Sequence, residues 1–251
     1  MTRTRRLARD VCLGVALLAA AGCGGGSSNT TGTPQTPASF DFGGNNPTKA
    51  TAFGDSITLG VLELKRRDLR LNTANNYPAL LQGKLQSLDP AWRVVNRGRS
   101  GEHTFEGVGR LPSTLASDQP GYVLILEGSN DAQACLDISV ATSNLQNMVR
   151  IARTNRSIPI IGTIPPNFRN NGCANDFISA VNTNIRGFAS AENVVVAEIF
   201  NGMNQRELFG VSPGRDPLHP NEQGYQVMAD IWFQAMLRAI PGGVMALRRR
   251  R

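Results

Sequence analysis

The whole chain of 251 residues contains two histidines, so acid–base chemistry near neutral pH has few candidates. His219 is preceded by a carboxylate three residues earlier, in Asp216-Pro217-Leu218-His219. In a tight turn that spacing lets Asp216 reach one ring nitrogen and leaves the other free to face a partner. An imidazole held this way can take a proton from a hydroxyl and return it to a leaving group. The hydroxyl candidate is Ser56, in Phe53-Gly54-Asp55-Ser56, where an apolar run closes on a glycine. If Ser56 opens a helix, its own N–H is one of the free first-turn donors. Asn130, in Gly128-Ser129-Asn130-Asp131, offers a side-chain N–H. Gly101, in Ser100-Gly101, offers a backbone N–H with no Cβ in the way. A nucleophile, a base, a group that orients the base and donors for an oxyanion are the requirements of ester hydrolysis through an acyl intermediate. Each piece alone has a plainer reading. Ser56 caps a helix, Gly101 and Asn130-Asp131 form turns, and His219 is a surface or capping residue.

Positioning these residues falls to the elements between them. From Lys49 to Gly242 the pattern alternates strand and helix. The strand segments are Lys49–Gly54, Arg93–Asn96, Gly121–Glu127, Ile158–Thr163 and Asn193–Ala197. Gly121–Glu127 is almost continuously apolar, as a strand buried on both faces should be. Helical spacing joins Tyr77, Leu80, Leu81, Leu85 and Leu88, with Asn76 placed as N-cap and Pro78 in the first turn. Three further stripes run through Ile138–Ala152, Phe177–Phe188 and Tyr225–Ala235, and Pro220 is placed to open the last of these helices. Strands separated by helices imply crossovers, hence a parallel sheet covered on both faces. Ligands of such sheets sit beyond the C-terminal ends of the strands. The four polar, glycine-rich segments that hold Ser56, Gly101, Asn130 and His219 all fall there.

Taken together, these segments resemble the blocks of the SGNH (GDSL) hydrolase family. Phe53-Gly54-Asp55-Ser56 is similar to its first block, Ser100-Gly101 to the second, Gly128-Ser129-Asn130-Asp131 to the third and Asp216-Pro217-Leu218-His219 to the last. Ile57 stands where the family's short name has Leu. The resemblance spans roughly residues 50–240. It implies an α/β fold: a flavodoxin-like three-layer α/β/α sandwich with a five-stranded parallel sheet, no metal and no cofactor. It implies Ser56, Asp216 and His219 as the catalytic triad. The Ser56 and Gly101 N–H groups and the Asn130 side chain would form the oxyanion hole. The implied function is a serine esterase acting on short-chain acyl or lysophospholipid-type esters. The alternatives are a thioesterase, a polysaccharide O-acetyl deacetylase of the same fold, or a non-catalytic surface binding lipoprotein. The substrate would accordingly be a small-molecule, lipid or glycan ester.

The ends read differently from the body. Arg3, Arg5, Arg6 and Arg9 precede the apolar run Val11–Ala21, which is too short to span a membrane and fits a signal peptide over residues 1–22. Ala20-Ala21-Gly22-Cys23 resembles a bacterial lipobox, which makes Cys23 the lipidation candidate and a lipid anchor the membrane partner. Ordinary secretion with cleavage nearby is the alternative. Residues 23–47, rich in Gly, Ser, Thr and Pro, read as a flexible tether. The expected organisation is completed by a hydrolase domain over 48–242 and a basic tail over 243–251. The expected location is the bacterial cell envelope, at the outer membrane or cell surface. Removing the +3 of residues 1–22 from the total of +7 leaves +4, and Arg248-Arg249-Arg250-Arg251 accounts for all of it. The body is therefore near neutral, and the basic balance gives no support for a nucleic-acid partner. In an oxidising compartment Cys135 and Cys173 are candidates for one disulfide, with two buried thiols the alternative. No CxxC or HExxH pattern occurs, which argues against a dedicated metal site.

Softer candidates remain. Glu127 is expected in the hydrogen-bond network of the third loop. Arg97 and Arg99 are expected on a solvated loop rather than against an anionic substrate. His103 either lines the cleft or is a solvated loop residue. Trp92 and Trp232 are expected in the core. Ile164-Pro165-Pro166-Asn167-Phe168 is either a wall of the acyl pocket or a plain connection.

Overall fold

Nine residues at the start of the body, Asn46–Gly54, form the strand β1, and the chain alternates from there. The computed structural model describes residues 40–65, 68–169, 172–210 and 217–241. The signal peptide, Cys23, Asp216 and the tail over 243–251 lie outside the described residues. A short helix α1 (Ser56–Leu59) follows β1, then an antiparallel pair, β2 (Val61–Lys65) and β3 (Asp68–Leu71). Next come α2 (Tyr77–Gln86), β4 (Arg93–Gly98), α3 (Thr104–Asp118), β5 (Pro120–Leu126) and α4 (Ser129–Gln133). The body closes with α5 (Ile138–Thr154), β6 (Ile158–Gly162), α6 (Gly172–Ala191), β7 (Val195–Ala197), α7 (Ile199–Gly202), a 3₁₀ turn at Arg206–Leu208 and α8 (Glu222–Ala239).

The five main strands pair in the order β4-β1-β5-β6-β7, all parallel. The order reverses at β1, so the crevice between β1 and β5 is the switch point of a doubly wound sheet. Side chains alternate across it. Ala50, Ala52, Tyr122, Leu124, Leu126 and Ile160 face one core with α2 and α8 residues such as Leu81 and Trp232. Phe53, Val123, Ile125 and Ile161 face the other with residues of α3, α5 and α6 such as Leu115, Met148 and Val181. A strand buried on both faces must be apolar at every position, and all seven residues of β5 are buried.

Several features depart from the sequence reading. The body begins before residue 48. Phe42 packs on Tyr122, with ring centroids 5.7 Å apart, and the Asn46 N–H donates to the Gln119 carbonyl at 2.9 Å. The stretch 40–47 is therefore held by aromatic packing and strand pairing rather than belonging to the tether. The β2–β3 pair had no counterpart in the predicted pattern. Neither had α3, whose Gly107, Gly109 and Pro112 all lower helix propensity. Burial of Leu111 and Leu115 against the sheet outweighs those residues. Finally, α8 begins at Glu222 with Asn221 as its cap, accepting the Gly224 N–H at 2.9 Å, so Pro220 precedes the helix instead of opening it. Trp92 and Trp232 are buried, as expected of core residues.

Candidate active site

Strand β1 runs into α1 with one residue between them, and that residue is the cap. Asp55 accepts the Ile57 N–H through Oδ1 at 2.8 Å, which fixes the first turn and makes Ser56 the opening residue of α1. The turn is tight enough to demand glycine at Gly54, where a Cβ would stand 2.2 Å from the Leu126 carbonyl oxygen and 2.2 Å from Thr58 Oγ1. Asp55 is fully buried, and among the described residues its Oδ2 has no aligned donor. Burial pushes its carboxyl up to about 6, against the opposing pull of the Ile57 N–H and the nearby His219 ring.

In register, Gly54 lies beside Gly98 on one side and Leu126 on the other. The loops leaving β1, β4 and β5 therefore emerge together. The loop after β4 is pinned by the Arg99 N–H, which donates to the Gly54 carbonyl at 2.8 Å. It reaches Gly101, whose φ of +79° is a conformation that L side chains rarely adopt. The loop after β5 turns into α4, and Asn130 donates through Nδ2 to the Glu102 carbonyl at 2.8 Å. An amide has two N–H bonds, so the second is available to a ligand. Asp131 accepts the Thr104 N–H at 2.9 Å and its hydroxyl at 2.6 Å, which fastens α4 to the start of α3.

His219 arrives from the far end of the chain. Ser56 Oγ and His219 Nε2 are 2.9 Å apart, and the two residues are 6% and 9% exposed. Asn221 anchors the loop that carries the imidazole. Its Nδ2 donates to the Glu207 carbonyl at 2.6 Å and to the Phe209 carbonyl at 2.9 Å, while Phe209 and Pro220 form a bridge. Sequence reading did not single out Asn221; an N-cap asparagine two residues after the histidine was its available signal. Ser56, His219, Gly101 and Asn130 are thus gathered at one edge of the sheet. Cys135, just beyond α4, is disulfide-bonded to Cys173 in α6, with Cα atoms 5.8 Å apart.

Other candidates take structural roles. Arg97 is exposed but lies in the strand β4 rather than in a loop, and it donates to Asp118 through Nε at 3.1 and 3.2 Å as an ion-pair partner. Arg99 is exposed, 3.7 Å from Glu102. His103 caps α3 at the rim. Its N–H donates to Glu106 at 3.1 Å and its ring stacks on Phe105, with centroids 5.4 Å apart. Ile164 is buried against the third loop, where a Cβ on Gly128 would sit 2.6 Å from its Cδ1. The Asn182 side chain holds Ile164 through both its N–H and its carbonyl. Glu127 is buried, as expected, yet among the described residues neither of its carboxyl oxygens meets a donor.

Comparison with known proteins gives a family. The model of the GDSL-like Lipase/Acylhydrolase family matches residues 52–227. Esterase TesA of Pseudomonas aeruginosa is 33% identical over 117 residues, which cover 46% of this chain and 54% of that one. The chain thus spans little more than half the length of this relative. Thioesterase 1/protease 1/lysophospholipase L1 of Escherichia coli (strain K12) is 26% identical over 189 residues, 74% of this chain and 82% of that protein. Among solved structures, the lipase/acylhydrolase from Enterococcus faecalis superposes with a TM-score of 0.64 at 22% identity, covering 77% of this chain and 97% of that one. At that identity the likeness shows the fold.

Proposed function

Because the chain belongs to the GDSL-like lipase/acylhydrolase family, we propose that it hydrolyses carboxylic esters through an acyl-enzyme on Ser56. The observation that carries this reading is the 2.9 Å contact between Ser56 Oγ and His219 Nε2. His219 takes the hydroxyl proton as Oγ attacks the ester carbon, and the carbonyl π electrons move onto oxygen. The Ser56 and Gly101 N–H groups and the free N–H of Asn130 receive that oxyanion. Collapse of the intermediate expels the alcohol, which leaves with the proton from His219. Water then adds by the same route, releases the acid and restores Ser56. Asp216 is assigned to orient the imidazole, as the third member of such triads does.

The substrates proposed are short-chain acyl or lysophospholipid-type esters. The names of the two relatives, an esterase and a lysophospholipase, support this choice. The protein is further proposed to be exported and held at the envelope by lipid on Cys23. Among the described residues no helix is long and apolar enough to cross a membrane.

Replacing Ser56 with Ala should lower turnover of p-nitrophenyl acetate by on the order of 10⁶ and abolish labelling by a fluorophosphonate probe. Full turnover by the variant refutes the assignment. A chain-length series run beside acetylated xylan reads the acyl class. Activity confined to the xylan would move the reading to a glycan deacetylase. A native protein that neither turns over ester nor takes up the probe would be a binding module.

A further inference from the structure

Two acidic residues flank the oxyanion donors. Glu102 follows Gly101, and Glu127 stands directly before Gly128-Ser129-Asn130. They are 2% and 1% exposed. Glu102 is well partnered. Arg110 donates to its carboxylate through Nε at 2.7 Å and also through a terminal nitrogen, and its main-chain carbonyl holds the Asn130 side chain. Arg110 in turn is kept in place by the Arg97 carbonyl at 3.0 Å and by the Phe53 ring, 4.0 Å beneath its guanidinium.

Glu127 is the exception. Among the described residues no N–H or O–H group reaches either of its carboxyl oxygens. Among the described residues, the carboxyl of Glu102 is the neighbouring side chain that interacts with it most directly. Other groups among the described residues that act on it are Asp55 at the end of β1, Asp131 in α4 and the Tyr77 hydroxyl from α2. On the α3 side Gly107 packs against it, and a Cβ there would lie 3.4 Å from Glu127 Oε1. Two carboxylates buried side by side repel, and burial penalises the charge of each. One proton between them converts that repulsion into a short O–H···O⁻ bond.

We propose that a proton held between the Glu127 and Glu102 carboxyls fastens together the loops that carry Asn130 and Gly101, which makes Glu127 a positioning residue for the oxyanion donors. The proposal rests on the esterase reading of the site. Glu127–OH donates, the Glu102 carboxylate accepts, and Arg110 neutralises the charge that remains. Burial, with Asp55 and Glu102 adding to it, pushes the Glu127 carboxyl well above its usual range. The folded state therefore binds this proton more tightly than the unfolded chain, and the tie is lost as pH rises through the raised value.

The test compares the native protein with Glu127→Ala and Glu127→Gln, as full chains, on p-nitrophenyl acetate from neutral to alkaline pH. Glu127→Ala should lower kcat roughly tenfold or more while leaving KM within about twofold. That falls short of the ~10²–10³ expected for losing a donor such as Asn130 outright. The amide introduced by Glu127→Gln can still donate to Glu102 but cannot ionise. This variant should therefore restore most of kcat and hold it to higher pH than the native enzyme does. Infrared difference spectra at mildly alkaline pH should show the carbonyl band of a neutral carboxylic acid in the native protein and its loss in Glu127→Gln. Equal kcat losses in the two variants, superimposable alkaline limbs, or no acid band in the native protein would each overturn the proposal. If Glu127→Ala does not fold, Glu127→Gln and the spectra decide. If the native protein turns over no ester, the esterase reading fails while the infrared band still reports on the shared proton.

Discussion

Asp55 sits between Gly54 and Ser56 and has two consequences at once. Its Oδ1 caps α1 and so orients the proposed nucleophile, while its burial makes the ionised form costly. Its carboxyl is raised from 3.8 to about 6, so the folded protein holds the proton more tightly than the unfolded chain. The sign follows from linkage: the contribution is complete below the ordinary value and is lost as pH climbs to about 6. Asp55→Asn keeps an oxygen for the Ile57 N–H and removes the charge. In urea titrations across acidic pH, the variant should lack this part of the decline and gain up to about 3 kcal/mol on the native protein by neutral pH. Parallel stability–pH curves for the two proteins would disprove it. The residue types of the candidate site were legible in the sequence. Asp55 as a buried acid and Asn221 as the anchor of the histidine loop were not, because both depend on what packs around them.

Among the elements, α4 has little support of its own. It has five residues, too few to be stable alone, yet it carries Asn130. Two ties hold it: the pair of Thr104–Asp131 bonds to α3, and the Cys135–Cys173 link to α6. The disulfide closes a loop with a sequence separation of 38. Removing it, by Cys135→Ala with Cys173→Ala, should lower unfolding free energy by about 2–4 kcal/mol, read from the urea midpoint. Initial esterase activity should fall by less than about threefold, since Asp131 still fixes α4. A midpoint unmoved by the double substitution would show that the bond does not contribute. At this scale the long apolar stripes of α5, α6 and α8 were readable from their period. Helix α3 was not, since Gly107, Gly109 and Pro112 oppose it locally and only contact with the sheet stabilises it. The β2–β3 pair escaped for a related reason. Its register is a relation between two strands, and neither strand records it alone.

For the whole molecule, the proposal is a near-neutral catalytic body held at a membrane by Cys23. Detergent-phase partitioning of the expressed protein should be strong and should disappear on Cys23→Ser, with turnover of soluble esters unchanged. Partitioning that survives the substitution would rule out this anchor. Composition and period were enough to establish an alternating α/β chain, a parallel sheet and the four loops at its C-terminal edge, because burial on both faces and helical spacing are properties of single segments. The contact between Ser56 and His219, 163 positions apart, needed the strand order β4-β1-β5-β6-β7 and the anchoring of the Asn221 loop. The same is true of the meeting of Glu102 with Glu127. Two acids on separate loops look like ordinary polar residues until the fold removes their water and places them side by side, and only that desolvation makes a proton between them worth holding.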